Sequence, residues 1–484
     1  MTISGMRLAV VGLGTSGLAA ADVGTALGAH VVGFDSSERA AEEARTELNG
    51  LDARGIADAA ELATAIVDAS PDAVVVSPGV PAHSPIYSAA RAAGFPVWSE
   101  VEFAWRVRSR RVDGSYAPWL TLTGTNGKTT TVTMLSSILG AAGLSAPAVG
   151  NVGSPLVRAA VDGDHDLLAV ELSSFQLHST HSVAPLASAC LNIAPDHIDW
   201  HGGWDGYWSD KAKVFERTEI ACVYAVADPE TRRMVEQAEV QEGARAVGIR
   251  LGAPLVGELG LVDDVLVDRA FLSERRTHAA EMATLADLAH LVPVGTGEVP
   301  QHVLSNALAA AALARAAGVP AVAVRDGLRA YEAGRHRIEF VSRRGGITWV
   351  NDSKATNAHA AKASLGSLRE GTVVWIAGGL AKGATFDELI QHVGDKLRAV
   401  VLIGMDRTPL LEALERHAPD VPRFEVVTGD DGSVMQKAVA AAAHFARPGD
   451  TVMMAPACAS MDQFTSYEHR GEEFVRAVQG LEGL

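Results

Sequence analysis

Gly124-Thr125-Asn126-Gly127-Lys128-Thr129 is the stretch on which the reading of this chain turns. It follows an apolar run, Trp119–Thr123, and precedes residues 132–142, whose apolar positions recur at helical spacing. In a strand, glycine-rich turn and helix arranged this way, backbone N–H groups close around phosphate oxygens and the helix start adds positive potential. Lys128 is placed to reach the β- and γ-phosphates, and the Thr129 hydroxyl to ligate Mg2+. The pattern departs from G-x-x-x-x-G-K-[ST], because Leu122 stands five residues before Gly127. A chance Gly-Lys-Thr in a turn is the alternative, and the flanking strand and helix weigh against it. An ATP-binding loop is the expectation.

The rest of the chain is read outward from that loop. With 484 residues it is too long for one hydrophobic core, so two to four domains are expected. Its net charge of −17 argues against a nucleic-acid or acidic-membrane partner. Cys190, Cys222 and Cys458 form neither a disulfide framework nor a zinc spacing, and core packing is their expected role. No apolar run reaches about 18 residues and no leader pattern opens the chain, so a cytoplasmic enzyme is expected.

Short apolar runs alternate with Ala/Leu-rich helical stretches. Residues 8–12, 30–35, 73–77 and 96–99 read as strands of one parallel sheet, and 119–123, 166–173 and 187–192 as strands of a second. A third sheet takes 347–351, 372–377, 399–403, 424–427 and 451–455. The fold class is therefore α/β, with three doubly wound domains: a Rossmann-like N-terminal domain, a P-loop-type central ATPase domain and a Rossmann-like C-terminal domain. Boundaries are set at 1–98, 99–334 and 335–484, guided by the basic stretch 106–115 and the Gly/Pro-rich run 293–300. Residues 250–299 say least.

Gly12-Leu13-Gly14-Thr15-Ser16-Gly17 matches G-x-G-x-x-G after a strand, with Asp35 closing the next one. By the fingerprint rule this says NAD, but any nucleotide diphosphate at a helix N-terminus meets the same physics. Glu171 ends a strand beside the phosphate loop, where a second Mg2+ ligand is needed; helix capping is its plainer reading. Asp196-His197-Ile198-Asp199 packs three polar groups into a post-strand loop, which favours metal or substrate binding. Asn351–Asn357, Gly378–Gly383 and Cys458–Phe464 follow successive strands of the third sheet and define a crevice.

Together these motifs resemble the Mur ligase superfamily. The matching pieces are Gly124–Thr129, Glu171–Gln176, Asp196–Asp199, Arg335–Glu339, Asn351–Asn357 and Ala457–Phe464, and they span nearly the whole chain. Asn351–Asn357 and the N-terminal glycines point to the D-glutamate-adding branch. The resemblance implies a UDP-sugar site in the first domain, ATP in the second and a mobile third domain. UDP-N-acetylmuramoyl-L-alanine would be held by Gly14, Thr15, Ser16, Asp35, Ser36, Gly79, Asn151, Ser174, Gln176 and His197. Lys354, Thr356, Lys382, Ser460 and Tyr467 would contact D-glutamate or the peptide carboxylates. ATP would lie on Gly124, Thr125, Asn126, Gly127, Lys128, Thr129 and Thr130, with Asn306, Arg337 and Asp352.

Two Mg2+ ions are implied, on Thr129, Glu171, His197 and Lys211. Lys211 matches a lysine that takes up CO2 as a carbamate, which turns a cation into an oxygen donor. Without the resemblance, Lys211 reads as a solvated helix lysine. Val303 stands where the family has an Asn, which removes one adenine contact, and Leu380-Ala381 and Thr385 replace acidic residues around Lys382.

The implied reaction is carboxylate activation by ATP, then amide formation with D-glutamate, in a monomer. Lys128, Glu171, His197, Lys211 and Arg337 are its expected catalytic set. The rivals are a sister ligase or folylpolyglutamate synthase, an NAD-dependent oxidoreductase and a nucleotide switch. The roughly 120 residues ahead of the phosphate loop disfavour the folate enzyme, and the polar third-domain crevice disfavours the switch.

Overall fold

A computed structural model describes residues 2–292, 298–427 and 433–481, so the boundary run 293–300 lies partly outside the described residues. The chain divides into two compact units. One runs to Asp287 and adds Val303–Tyr331; the other starts at Glu332 and adds the segment ending at His302. There are three mostly parallel sheets, as the alternation of strands and helices predicts.

The first sheet comprises β1 (Arg7–Val11), β2 (His30–Asp35), β3 (Asp52–Gly55), β4 (Ala73–Val76) and β5 (Val97–Ser99). Its order is β3-β2-β1-β4-β5, all parallel, so the strand order reverses at β1, where ligands bind in such sheets. Strand β3 is missed by sequence reading. It is an edge strand of Asp-Ala-Arg-Gly, and its two charges pair with each other at 2.8 Å instead of marking a buried run.

The second sheet holds β6 (Trp119–Thr123), β7 (Ala148–Gly150), β8 (Leu168–Glu171), β9 (Ala187–Cys190), β10 (Ala221–Ala225), β11 (Arg245–Ile249), β12 (Glu258–Val262), β13 (Val265–Asp268) and β14 (Ala280–Thr284). Their order is β14-β13-β12-β11-β10-β9-β6-β8-β7. Strands β12 to β14 pair antiparallel and extend the parallel sheet. They lie in the stretch that said least, because short half-polar strands give little periodic signal.

These first two sheets share one core. Trp98, Val101 and Phe103 pack with Trp119, Leu156 and Leu168. Ser99 Oγ caps the helix Glu100–Val107 through Glu102 N and meets Thr180 Oγ1 at 2.8 Å. Glu102, fully buried, accepts from the backbone N–H of His181 and Ser182, both at 2.8 Å. Glu100 accepts from Val157 N, and burial pushes its carboxyl up to about 7.

The second unit's sheet has β15 (Glu339–Arg344), β16 (Ile347–Asn351), β17 (Val373–Gly378), β18 (Leu397–Ile403), β19 (Arg423–Glu425) and β20 (Thr451–Met454), in the order β15-β16-β20-β17-β18-β19. Only β15 is antiparallel, as the return arm of a hairpin through Gly345 and Gly346. Two hydrophobic cores flank the sheet, one around Trp375 and Phe386, the other around Trp349 and Phe474.

Candidate functional site

Among the described residues, eight helices begin with a Ser, Asp or Asn side chain bonded to the first turn, including those capped by Ser37, Asp58, Ser173 and Asn357, and the others have no side-chain cap shown. The helices Thr15–Ala26 and Lys128–Ala141 begin at Gly14 and Gly127 with no side-chain cap. Both follow glycine loops at strand ends, the setting in which a helix start faces a phosphate. Gly127 adopts φ +82°, and a Cβ there would stand 2.4 Å from Asn306 Oδ1. That close approach places the predicted Asn306 against the phosphate loop.

The loop is held from below by Asn192, which sequence reading missed. Its backbone carbonyl accepts from Thr125 N, its Oδ1 accepts from Asn126 N, and its Nδ2 donates to Asn126 O. Thr125 Oγ1 lies 2.9 Å from Tyr207 OH. Lys128 Nζ donates to the carbonyls of Gly124 and Thr125, both at 2.9 Å.

Lys211 is no solvated lysine. It is 2 % exposed, and its Nζ donates to Gly124 O at 2.8 Å and to Thr123 Oγ1 at 3.3 Å. Burial, reinforced by the Lys128 charge, brings it down to about 7, so a neutral amine is populated near neutral pH. Glu171 ends β8, whose register sets it beside Leu122 of β6. Asn151 Nδ2 donates to its Oε1 at 2.8 Å, while its buried Oε2 has no hydrogen-bond partner. A buried carboxylate oxygen left without a donor fits a cation. Among the described residues no group of three His, Cys, Asp or Glu gathers as a metal site. Mg2+ needs no such cage, since it takes one or two carboxylates with phosphate oxygens and water.

His197 sits in the left-handed region at φ +52°, 3.5 Å from Asp196 and edge-on to Phe175. Ser174 bonds to His201 Nε2 at 2.9 Å, and Gln176 closes a capping box with Ser173. Gln176 therefore holds its own helix, and a substrate role for it gains no support from its hydrogen bonds.

In the first sheet, a Cβ on Gly17 would meet Gly12 O at 1.8 Å, so only glycine lets helix and strand approach so closely. Asp35 is committed to that loop as well: it accepts from Leu13 N at 2.7 Å and Ser37 N at 2.9 Å. Thr15 opens the uncapped helix, with Ser16 next to it; Ser36 follows β2, and Gly79 lies in the turn after β4.

The second unit gathers its own set. Asp352, after β16, accepts from Ser364 Oγ at 2.5 Å and Ile338 N at 3.3 Å. Burial pushes its carboxyl up to about 6, against the pull of these bonds and the Arg337 charge. Lys354 Nζ donates to Tyr467 OH at 2.8 Å and lies over its ring. Thr356 bonds back to Lys354 O, Ser460 is buried, and Lys382 takes φ +51° beside the Leu380–Ala459 bridge. Arg470, which sequence reading missed, is fully buried and ties Ser353 to the Cys458 carbonyl.

Residues 122–314 match the Mur ligase middle domain, and 336–458 match the Mur ligase glutamate ligase domain. A UDP-N-acetylmuramoylalanine–D-glutamate ligase of Streptomyces avermitilis is 49 % identical over 478 residues, covering 99 % of this chain and 98 % of that protein. The chain belongs to the Mur ligase family. A Thermobifida fusca relative of the same name is 48 % identical, covering 100 % of both chains. Among solved structures, UDP-N-acetylmuramate–alanine ligase of Thermotoga maritima shares the fold at TM-score 0.56 and 17 % identity, covering 98 % of this ligase and 99 % of that chain. Escherichia coli FolC in complex with DHPP and ADP does so at TM-score 0.53 and 18 % identity, covering 78 % and 92 %. No helix among the described residues is long and apolar enough to cross a membrane.

Proposed function

We infer that this Mur ligase joins D-glutamate to UDP-N-acetylmuramoyl-L-alanine, using ATP, in peptidoglycan precursor synthesis. The observation that carries the reading is the uncapped loop at Gly127, with Lys128 and Lys211 on its Gly124 carbonyl and the bare Glu171 oxygen on the neighbouring strand. The near-full-length relatives supply the amino acid and the acceptor.

The alanyl carboxylate attacks the γ-phosphorus of ATP; the bond to ADP breaks and an acyl phosphate forms. The D-glutamate amine then attacks the acyl carbon, expels phosphate and loses a proton. Lys128 and Arg337 offset the negative charge that spreads over the transferring group. The helix start at Gly127 orients the phosphates through backbone N–H groups. Mg2+ would be held by Thr129 and Glu171, and a second ion by His197 with carbamylated Lys211; bound there it neutralises phosphate charge. Lys211 is suited to carbamylation because its neutral amine attacks CO2, forming an N–C bond and releasing a proton. The N-terminal glycine loop is assigned to the UDP diphosphate, and the second-unit residues Lys354, Thr356, Lys382, Ser460 and Tyr467 to D-glutamate and the peptide carboxylates. We assign the chain as a monomer, which sedimentation checks.

The test is phosphate release from ATP by the purified protein. Release is expected only with UDP-N-acetylmuramoyl-L-alanine and D-glutamate together. Equal turnover with L-glutamate or a folate acceptor would sink the reading, and NADH-linked turnover would restore the oxidoreductase.

A further inference from the structure

Asp210 directly precedes Lys211 and is buried. Its Oδ2 accepts from Nδ1 of His178 and from Nδ1 of His201, both at 2.8 Å, and its Oδ1 accepts from Lys213 Nζ at 2.9 Å. A carboxylate only accepts, so both imidazoles carry their Nδ1 hydrogen. His201 Nε2 lies 2.9 Å from the Ser174 hydroxyl oxygen. Serine, histidine and carboxylate in this line form the constellation of an acyl-transfer triad. Burial rules out that use. The His201 side chain is 0 % exposed and Ser174 is 4 % exposed, so no acyl group reaches the hydroxyl. The second imidazole on the same oxygen also has no place in a triad.

The contacts instead join three segments. Ser174 and His178 open and close one short helix, His201 ends the turn Ile198–His201, and Asp210 lies on the helix Trp204–Ala212 that carries Lys211. His201 also stacks on Phe175 and meets the edge of Tyr207, whose hydroxyl reaches Thr125 in the phosphate loop.

We propose that Asp210 and His201 are positioning residues, which clamp these three segments into one block and thereby hold Lys211 Nζ at the Gly124 carbonyl. The proposal deepens the role assigned to Lys211 above and rests on it.

The test uses His201→Phe, which keeps the ring packing and deletes both hydrogen bonds, and Asp210→Asn as an independent second variant. In folded protein, kcat is expected to fall about tenfold or more with KM for ATP changed by less than about twofold, as for the loss of a ligand's orienting partner. The bicarbonate concentration for half-maximal activity should rise, and the carbamate resonance seen with 13C-bicarbonate should weaken. Folded variants with wild-type kcat and wild-type bicarbonate dependence overturn the proposal, whatever their Tm. A wild type with no carbamate resonance and no bicarbonate dependence removes the Lys211 carbamate instead. In that case an unchanged kcat in both variants overturns the clamp, and a reduced kcat at constant KM for ATP supports it.

Discussion

Lys128 and Lys211 deliver their side-chain nitrogens to one oxygen, the Gly124 carbonyl, at 2.9 and 2.8 Å. Two cations on one acceptor repel, and Lys211, wholly enclosed, is the one whose charge is weakened. Lys128 is the cation proposed above to face the transferring phosphate.

Replacing that charge is expected to disable the enzyme. Lys128→Ala should cost about 2–4 kcal/mol of transition-state stabilisation, the usual scale for one electrostatic catalytic contact. Steady-state phosphate release checks it, and wild-type turnover would remove the phosphate-loop assignment.

Lys211→Ala is expected to abolish turnover, with partial rescue by short-chain carboxylates, and CO2 depletion should slow the wild type. Only the neutral amine takes up CO2, so the bicarbonate effect should strengthen as pH rises through about 7. A second consequence concerns stability. The folded value lies below the ordinary 10.5, so the unfolded chain binds the extra proton between them, and the native state gains stability as pH rises across that window. Lys211→Met should therefore raise Tm over wild type most at pH below about 7, and least near pH 10.5, in calorimetry without nucleotide.

Glu171→Gln keeps the acceptor for Asn151 but removes the charge on the orphaned oxygen. The Mg2+ concentration for half-maximal turnover should rise by about tenfold or more. Titration of activity with Mg2+ measures it; an unchanged midpoint would mean that Glu171 serves only its strand end.

Asp352 carries a buried carboxyl whose folded value, about 6, lies above the ordinary 3.8. The native state holds that proton more tightly, so its stability falls as pH rises from 3.8 towards 6. Asp352→Asn should thus be more stable than wild type at pH 8, by about 3 kcal/mol, with the gain vanishing near pH 4 in melts across pH. Activity is expected to be lost in the same variant, which separates stability from function.

Gly17→Ala places a methyl group against Gly12 O and should open the first-sheet glycine loop. Affinity for the UDP-sugar should fall while ADP binding stays near wild type, as read by calorimetric titration of each ligand. Equal loss of both would locate the damage in the shared core of the first two sheets.

Much of this was legible because the decisive strands are buried on both faces and stop abruptly at polar residues. Strand β6 is an apolar run with Gly124 at its end, β8 stops at Glu171, and β16 stops at Asn351. The unread parts depend on distance in sequence. Asn192 supports Asn126 from 66 residues away, and nothing near either one signals the pairing. Arg470 has the look of a surface arginine on an amphipathic helix, yet it is enclosed by backbone carbonyls and a serine. Lys211 likewise reads as solvated until the fold closes over it. Strands β12 to β14 went unread because hairpin pairing, not continuous hydrophobicity, holds them in the sheet.

The helices Thr15–Ala26 and Lys128–Ala141, each begun by a glycine at a strand end, have a practical consequence for finding inhibitors. A missing Ser, Asp or Asn at a helix start forgoes about 1 kcal/mol that an occupying phosphate can return. Under the proposed assignment, a nucleotide at either start would complete a secondary-structure element, and free-energy linkage would turn that completion into a higher melting temperature. A dye-based melting screen run separately with a uridine and an adenine nucleotide should register compounds at either helix start, and competition between the two ligands would tell which one a compound occupies.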